Sequence, residues 1–237
     1  MIDFGLLASI AFVLAIPALF VRPFPPSAVP HGVIDTALGA LAAGLIVGRL
    51  TSLALDDPGS LTKLGDILII RSGVEFWPGV AAGLGWLAVG ARREATPASV
   101  RIAALAPAAL VGWACYEATC LLRDGCPGPA SQLGAHPDGL TTRMFPVGLA
   151  VAFAAMCVAC ILERAHRRGL RSTQVGVMAV ASVAAIRSVA SIWLPHIGDG
   201  LTRQHKESIA VFAVSSMAVA VMCRHRRRDV TQTAASR

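Results

Sequence analysis

The sequence predicts an all-α, polytopic integral membrane protein of about seven transmembrane helices, with the N-terminus outside and the C-terminus cytoplasmic. Three observations carry that expectation. The 237 residues are 55% hydrophobic and only 15% charged, with a mean hydropathy of +0.64, whereas a soluble domain carries about 25% charged residues. The apolar residues are gathered into runs of roughly membrane-spanning length, about 17–25 residues. Arginine clusters fall in alternate gaps between those runs.

The runs, in order, are residues 4–20, 33–55, 74–91, 102–122, 145–162, 175–194 and 208–222. The first has Asp3 before it and Arg22-Pro23 after it, which is neither the positive start nor the small-residue end of a cleaved signal. The second carries Gly44 and Gly48 and the third Gly79 and Gly83, four-residue spacings that let helix backbones approach closely. Segments 56–73 and 123–142 are rich in Gly, Pro, Asp and Ser and read as loops with turns. Residues 1–223 form one transmembrane domain, and 224–237 a short basic tail.

Orientation follows from the arginines. Arg92, Arg93 and Arg101 lie between the third and fourth runs, Arg164, Arg167, Arg168 and Arg171 between the fifth and sixth, and Arg224 and Arg226–Arg228 after the seventh. Basic residues of short loops stay cytoplasmic, and all these clusters do so together only with the N-terminus outside. The net charge of +7 is therefore topological. No nucleic-acid recognition motif accompanies it, so no nucleic-acid partner is expected. The six cysteines form no zinc pattern, and neither a metal nor a cofactor is expected. Cys157 and Cys160 read as apolar fillers. Cys115, Cys120 and Cys126 fall near the outer surface, and a Cys120–Cys126 disulfide is left open.

Charges within spans are costly and point to function. At about 1.5 Å per residue, Arg49 lies roughly 24 Å along the second span, Glu117 roughly 22 Å along the fourth and Arg187 roughly 18 Å along the sixth. All three fall in the outer half of the bilayer. Arg71 and Glu75 guard the outer entrance to the third span; Arg123 and Arg143 bound the second outer loop. Arg49 and Glu117 have a structural explanation in snorkelling or mutual pairing. Arg187 has few polar neighbours in sequence, and its guanidinium suits the bidentate capture of a phosphate. His136 and His196 are expected outside, as solvated histidines or general bases.

These features, taken together over residues 33–222, resemble the prolipoprotein diacylglyceryl transferase family of the bacterial inner membrane. Gly48-Arg49-Leu50 is similar to that family's G-R-L. Gly73-Val74-Glu75-Phe76-Trp77-Pro78-Gly79 sits where the family opens its third span with a G-x-S-F-H-G-G-like turn. Ala106-Pro107 and the stretch from Cys115 to Cys120 occupy the place of A-P-x-x-P and G-R-I-G-N-F. The run from Cys120 through Cys126-Pro127-Gly128-Pro129 to Ser131 is similar to a cysteine-bearing version of that signature. Arg143 with Pro146 fits the R-x-P before the fifth span, and Ile186-Arg187 the F/I-R of the sixth. The sequence departs from the family at four places. Trp77 stands at its functional histidine, Glu117 at its signature arginine, Cys120 at the signature asparagine, and Ser191 at a carboxylate four residues beyond Arg187.

The resemblance implies transfer of diacylglyceryl from phosphatidylglycerol to the lipobox cysteine thiol of a preprolipoprotein, with glycerol phosphate leaving. It assigns Arg187 and Arg49 to the headgroup clamp, with Trp77 and Arg143 beside the substrate, and leaves Glu117 as the base, alongside Arg187 in the catalytic set. The alternatives are a catalytically inactive relative that binds anionic phospholipid or lipoprotein at the outer face, and a small transporter or thiol-redox membrane protein. No span shows the polar mid-helix break of a transporter, and no CxxC lies at the outer face.

Overall fold

The computed structural model describes residues 15–17, 33–63, 65, 73–93, 96–120, 127–136, 141–193 and 201–235. Of the predicted first span, only 15–17 fall among these, and they are helical. Arg22, Arg71, Arg123, Cys126 and His196 lie outside the described residues. The described chain is mostly helical: α1 (Val33–Asp56), α2 (Phe76–Arg93), α3 (Ala98–Ala118), α4 (Val147–Arg167), α5 (Ser172–Trp193) and α6 (Arg203–Ala235). A 3-10 turn, Pro58–Thr62, follows α1.

Five of these helices are long and apolar enough to cross a membrane: α1, α3, α4, α5 and the Arg203–Arg224 portion of α6. The protein is a multi-pass membrane protein. The sixth helix, α2, has only 18 residues, includes Pro78 and four glycines, and ends on Arg92-Arg93, which reduces its apolar length. The helices also expose what a soluble protein would bury. Ile34, Leu38, Leu41 and Leu45 form an outward stripe along α1, and Phe153 on α4 and Val214 and Met217 on α6 are more than two-thirds exposed. Contiguous apolar surface of this kind requires a lipid or protein partner.

The chain falls into two compact units, Arg22–Leu105 and Met1–Val21 with Ala106–Arg237, the boundary crossing α3. In the first, α1 packs against α2 through the glycine pairs expected to do so. A Cβ on Gly44 would lie 3.0 Å from the Gly79 carbonyl oxygen, and one on Gly79 would lie 2.9 Å from that of Gly44. The same helices are tied at one end by the Glu75 amide, which donates to the Gly48 carbonyl at 3.0 Å. Arg101, one of the basic residues between the third and fourth runs, is buried. Gly90 leaves room for its guanidinium, since a Cβ there would lie 2.9 Å from Nη1.

In the second unit, Ala114 of α3 packs on Ala152 and Ala155 of α4, and Val147 and Val151 of α4 pack on Ala190 of α5. Residues 123–142, expected as loop and turns, contribute a strand. β1 (Pro127–Ala135) pairs antiparallel with β2 (Met144–Pro146), with irregular register. Composition disfavours a strand rich in Gly and Pro, but partner backbone decides strand formation more than propensity does. At the far end, α4 closes on Gly169 at φ 91°. The Leu170 amide donates to the Ala165 carbonyl at 3.0 Å and the Gly169 amide to that of His166 at 3.1 Å, the pair of bonds that satisfies a helix C-terminus around a left-handed residue. α6 continues helically through the basic tail to Ala235.

Candidate functional site

The C-terminal end of α3, the N-terminal end of α4, the C-terminal end of α5 and the first turn of α6 meet at one end of the Ala106–Arg237 unit. Gly148 permits the α3–α4 approach: a Cβ there would lie 2.6 Å from the Glu117 carbonyl oxygen. Phe145 meets Trp193 edge-on, ring centroids 6.2 Å apart. Of the predicted site residues, Glu117, Arg143 and Arg187 belong to this unit, and Arg49 and Trp77 to the other.

Glu117 is half-buried, and its Oε1 accepts the indole hydrogen of Trp113, one turn back, at 2.9 Å. Arg143 is exposed at the turn end of the hairpin, where its Nε donates to His136 Nε2 at 3.2 Å. Arg187 is half-buried on α5, and its Nη2 donates to Gln204 Oε1 of α6 at 3.3 Å. Arg187, with few polar neighbours in sequence, thus gains a polar partner from the next helix. Hydropathy begins the seventh run at Ser208, because Arg203, Gln204, Lys206 and Glu207 are polar. Thr202 starts the helix earlier: its Oγ1 accepts the His205 amide at 3.2 Å, and its carbonyl the Lys206 amide at 3.1 Å. This is the behaviour of an N-cap, and it lays a polar turn of α6 beside Arg187.

That turn also carries His205, which sequence reasoning passed over. His205 is buried, and its Nδ1 is hydrogen-bonded to Ser191 Oγ, one helical turn beyond Arg187. The Ser191 hydroxyl is also placed to donate to the Ser188 carbonyl at 3.0 Å. Ser191 Oγ and His205 Nδ1 share one hydrogen bond, whose donor is set by the imidazole tautomer. The signal for it was Thr202 three residues before His205, a capping position ahead of an apolar run.

Arg49, Glu75 and Trp77 belong to the other unit. Arg49 is buried, and its Nη1 donates to the Gly73 carbonyl at 3.4 Å. Glu75 is buried at the same end of the α1–α2 pair. Trp77 is buried against Phe76, ring centroids 5.2 Å apart. Cys120 is disulfide-bonded, while Cys115, Cys157, Cys160 and Cys223 are free. Among the described residues no three His, Cys, Asp or Glu side chains gather as a metal site. The chain matches no protein-family model, and no characterised protein matches it in sequence.

Proposed function

We propose that this protein is a divergent diacylglyceryl transferase of the bacterial inner membrane, with seven spans, its N-terminus outside and its C-terminus inside. Its donor is phosphatidylglycerol or a related anionic phospholipid, and its acceptor the lipobox thiol of a preprolipoprotein. The observation that carries the reading is the cluster of Arg187, Gln204, Ser191 and His205 at one membrane end. An arginine at that depth suits a lipid phosphate, and an imidazole on the first turn of the facing helix suits proton removal from a thiol.

In the reaction the acceptor thiol loses its proton to the base. Its sulfur attacks the glyceryl carbon bearing the phosphate. The carbon–oxygen bond breaks with its electron pair on the departing glycerol phosphate, which gains one negative charge. Arg187 stabilises that developing charge. His205 and Glu117 are the candidate bases at this end, and we favour His205 because Glu117 already accepts the Trp113 indole hydrogen. Arg143, on the hairpin of the same unit, and Arg49 and Trp77 enter the reading through the family resemblance alone.

A second reading, an inactive relative that binds anionic phospholipid or lipoprotein, is favoured by one feature. Trp77, which replaces the family histidine, is buried against Phe76 and offers no base. Complementation separates the two. The chain is expressed in a bacterium depleted of its own diacylglyceryl transferase, and lipoprotein mass is followed. The transferase reading predicts the added diacylglyceryl mass, lost in Arg187→Ala. Well-inserted protein with no added mass would leave the binder reading in its place.

A further inference from the structure

The opposite end of the Ala106–Arg237 unit has an open groove of about 500 Å³ at the corner between α4 and α5, lined by Ile161, Arg164, Ala165, Arg168, Gly169 and Leu170. Its volume falls in the range of small-molecule sites, roughly 300–1,000 Å³. The left-handed turn at Gly169 shapes it. Because that turn ends α4 abruptly, Leu170 folds back beside the last helical turn rather than extending it.

The charges at this corner are divided between two sides of α4. Glu163 is the only acid between residues 163 and 171, and its Oε1 accepts from Arg167 Nε at 2.9 Å. At about 100° per residue, Glu163 and Arg167 lie on the side of α4 away from Ile161. Arg164 and Arg168 lie on the Ile161 side, line the groove and are exposed, and neither forms an ion pair or side-chain hydrogen bond among the described residues. Two cations thus face the groove with no counter-charge among the described residues.

The same face of α4 continues upward as an apolar stripe. Phe153 is 74% exposed and Ile161 60%, with Cys157 between them. From Arg164 to Phe153 the helix rises about 16 Å, close to the half-thickness of a bilayer's hydrocarbon core, about 15 Å. A paired basic site at the end of an apolar track one acyl chain long has the shape and charge of a phospholipid.

We propose that the α4–α5 corner binds an anionic phospholipid of the leaflet it meets, with the phosphate on Arg164 and Arg168 and an acyl chain along Ile161 and Phe153. The lipid anchors this corner at the membrane surface. The site is independent of the transfer reaction and lies at the other end of the unit from Arg187.

The test uses the full chain in nanodiscs of phosphatidylcholine doped with a phosphatidylglycerol that carries a photoactivatable group on one acyl chain. Labelled peptides are located by mass spectrometry. Label should appear on the α4 segment containing Phe153 and Ile161, and should survive Arg187→Ala. With each surface arginine contributing about fivefold, the double variant Arg164→Gln/Arg168→Gln should reduce it about 30-fold. Glycerol phosphate and inorganic phosphate should not displace it. Unchanged labelling in the double variant would overturn the proposal, as would equal labelling by the matching phosphatidylcholine probe. Displacement by free glycerol phosphate would also overturn it, by assigning the groove to a soluble phosphate ester.

Discussion

Arg187 and His205 show how a single side chain changes meaning with its neighbours. A lone arginine within an apolar run is costly and marks a site, but its chemistry depends on what shares its depth. Ser191 matters here because its hydroxyl is hydrogen-bonded to His205 Nδ1 and so orients the imidazole behind it. At other positions a single atom decides packing. A side chain at Gly79 would press on the carbonyl oxygen of Gly44, at 2.9 Å, which is backbone and cannot turn aside. Gly79→Val is therefore expected to destabilise the fold by about 1–3 kcal/mol, read as earlier thermal unfolding in detergent. Gly85, where a Cβ meets nothing within 4 Å, is the control: Gly85→Ala should leave unfolding unchanged or slightly later.

Among the elements, those with a uniform apolar pattern were legible and those defined by partners were not. The runs beginning at Val33, Ile102, Phe145 and Val175 correspond to helices α1, α3, α4 and α5 within a few residues, and the four-residue glycine spacings correctly marked where α1 and α2 touch. The start of α6 was missed because hydropathy ranks Arg203–Glu207 as loop, whereas the Thr202 cap holds that stretch in the helix. The strand at Pro127–Ala135 was missed because it depends on backbone pairing with Met144–Pro146. Half of the candidate site, Gln204 and His205, lay in the missed turn. Thr202→Ala should cost about 1 kcal/mol, with an earlier unfolding transition in detergent, and Thr202→Ser should restore stability.

For the whole molecule, the exposed apolar stripes on α1, α4 and α6 point to lipid as the surrounding solvent, and the arginine clusters are the ground for the proposed orientation. Arg101 contributes less to that orientation than its charge implied, since it is buried; Arg164, Arg168 and Arg171 remain exposed and carry it. The proposed N-outside arrangement would put the hairpin and the α4–α5 corner on opposite sides of the membrane. Cysteines introduced by Ser131→Cys and Arg171→Cys should then react differently with a membrane-impermeant maleimide. The first should label in intact cells, and the second only after the membrane is opened. The reverse pattern would invert the topology and move the Arg187 end to the cytoplasm, away from secreted preproteins.

We propose that the α5–α6 end performs a transfer reaction on an anionic phospholipid. Its most direct test mixes the purified full chain with phosphatidylglycerol vesicles and a lipobox peptide, and follows diacylglyceryl-peptide and released glycerol phosphate together. The account predicts that both products form in equal amounts, that Arg187→Ala and His205→Gln each lower the rate by about 100-fold or more, and that Ser191→Thr retains most of it. Product formation at the wild-type rate in Arg187→Ala and His205→Gln, or no product from the well-folded wild-type chain, would contradict it.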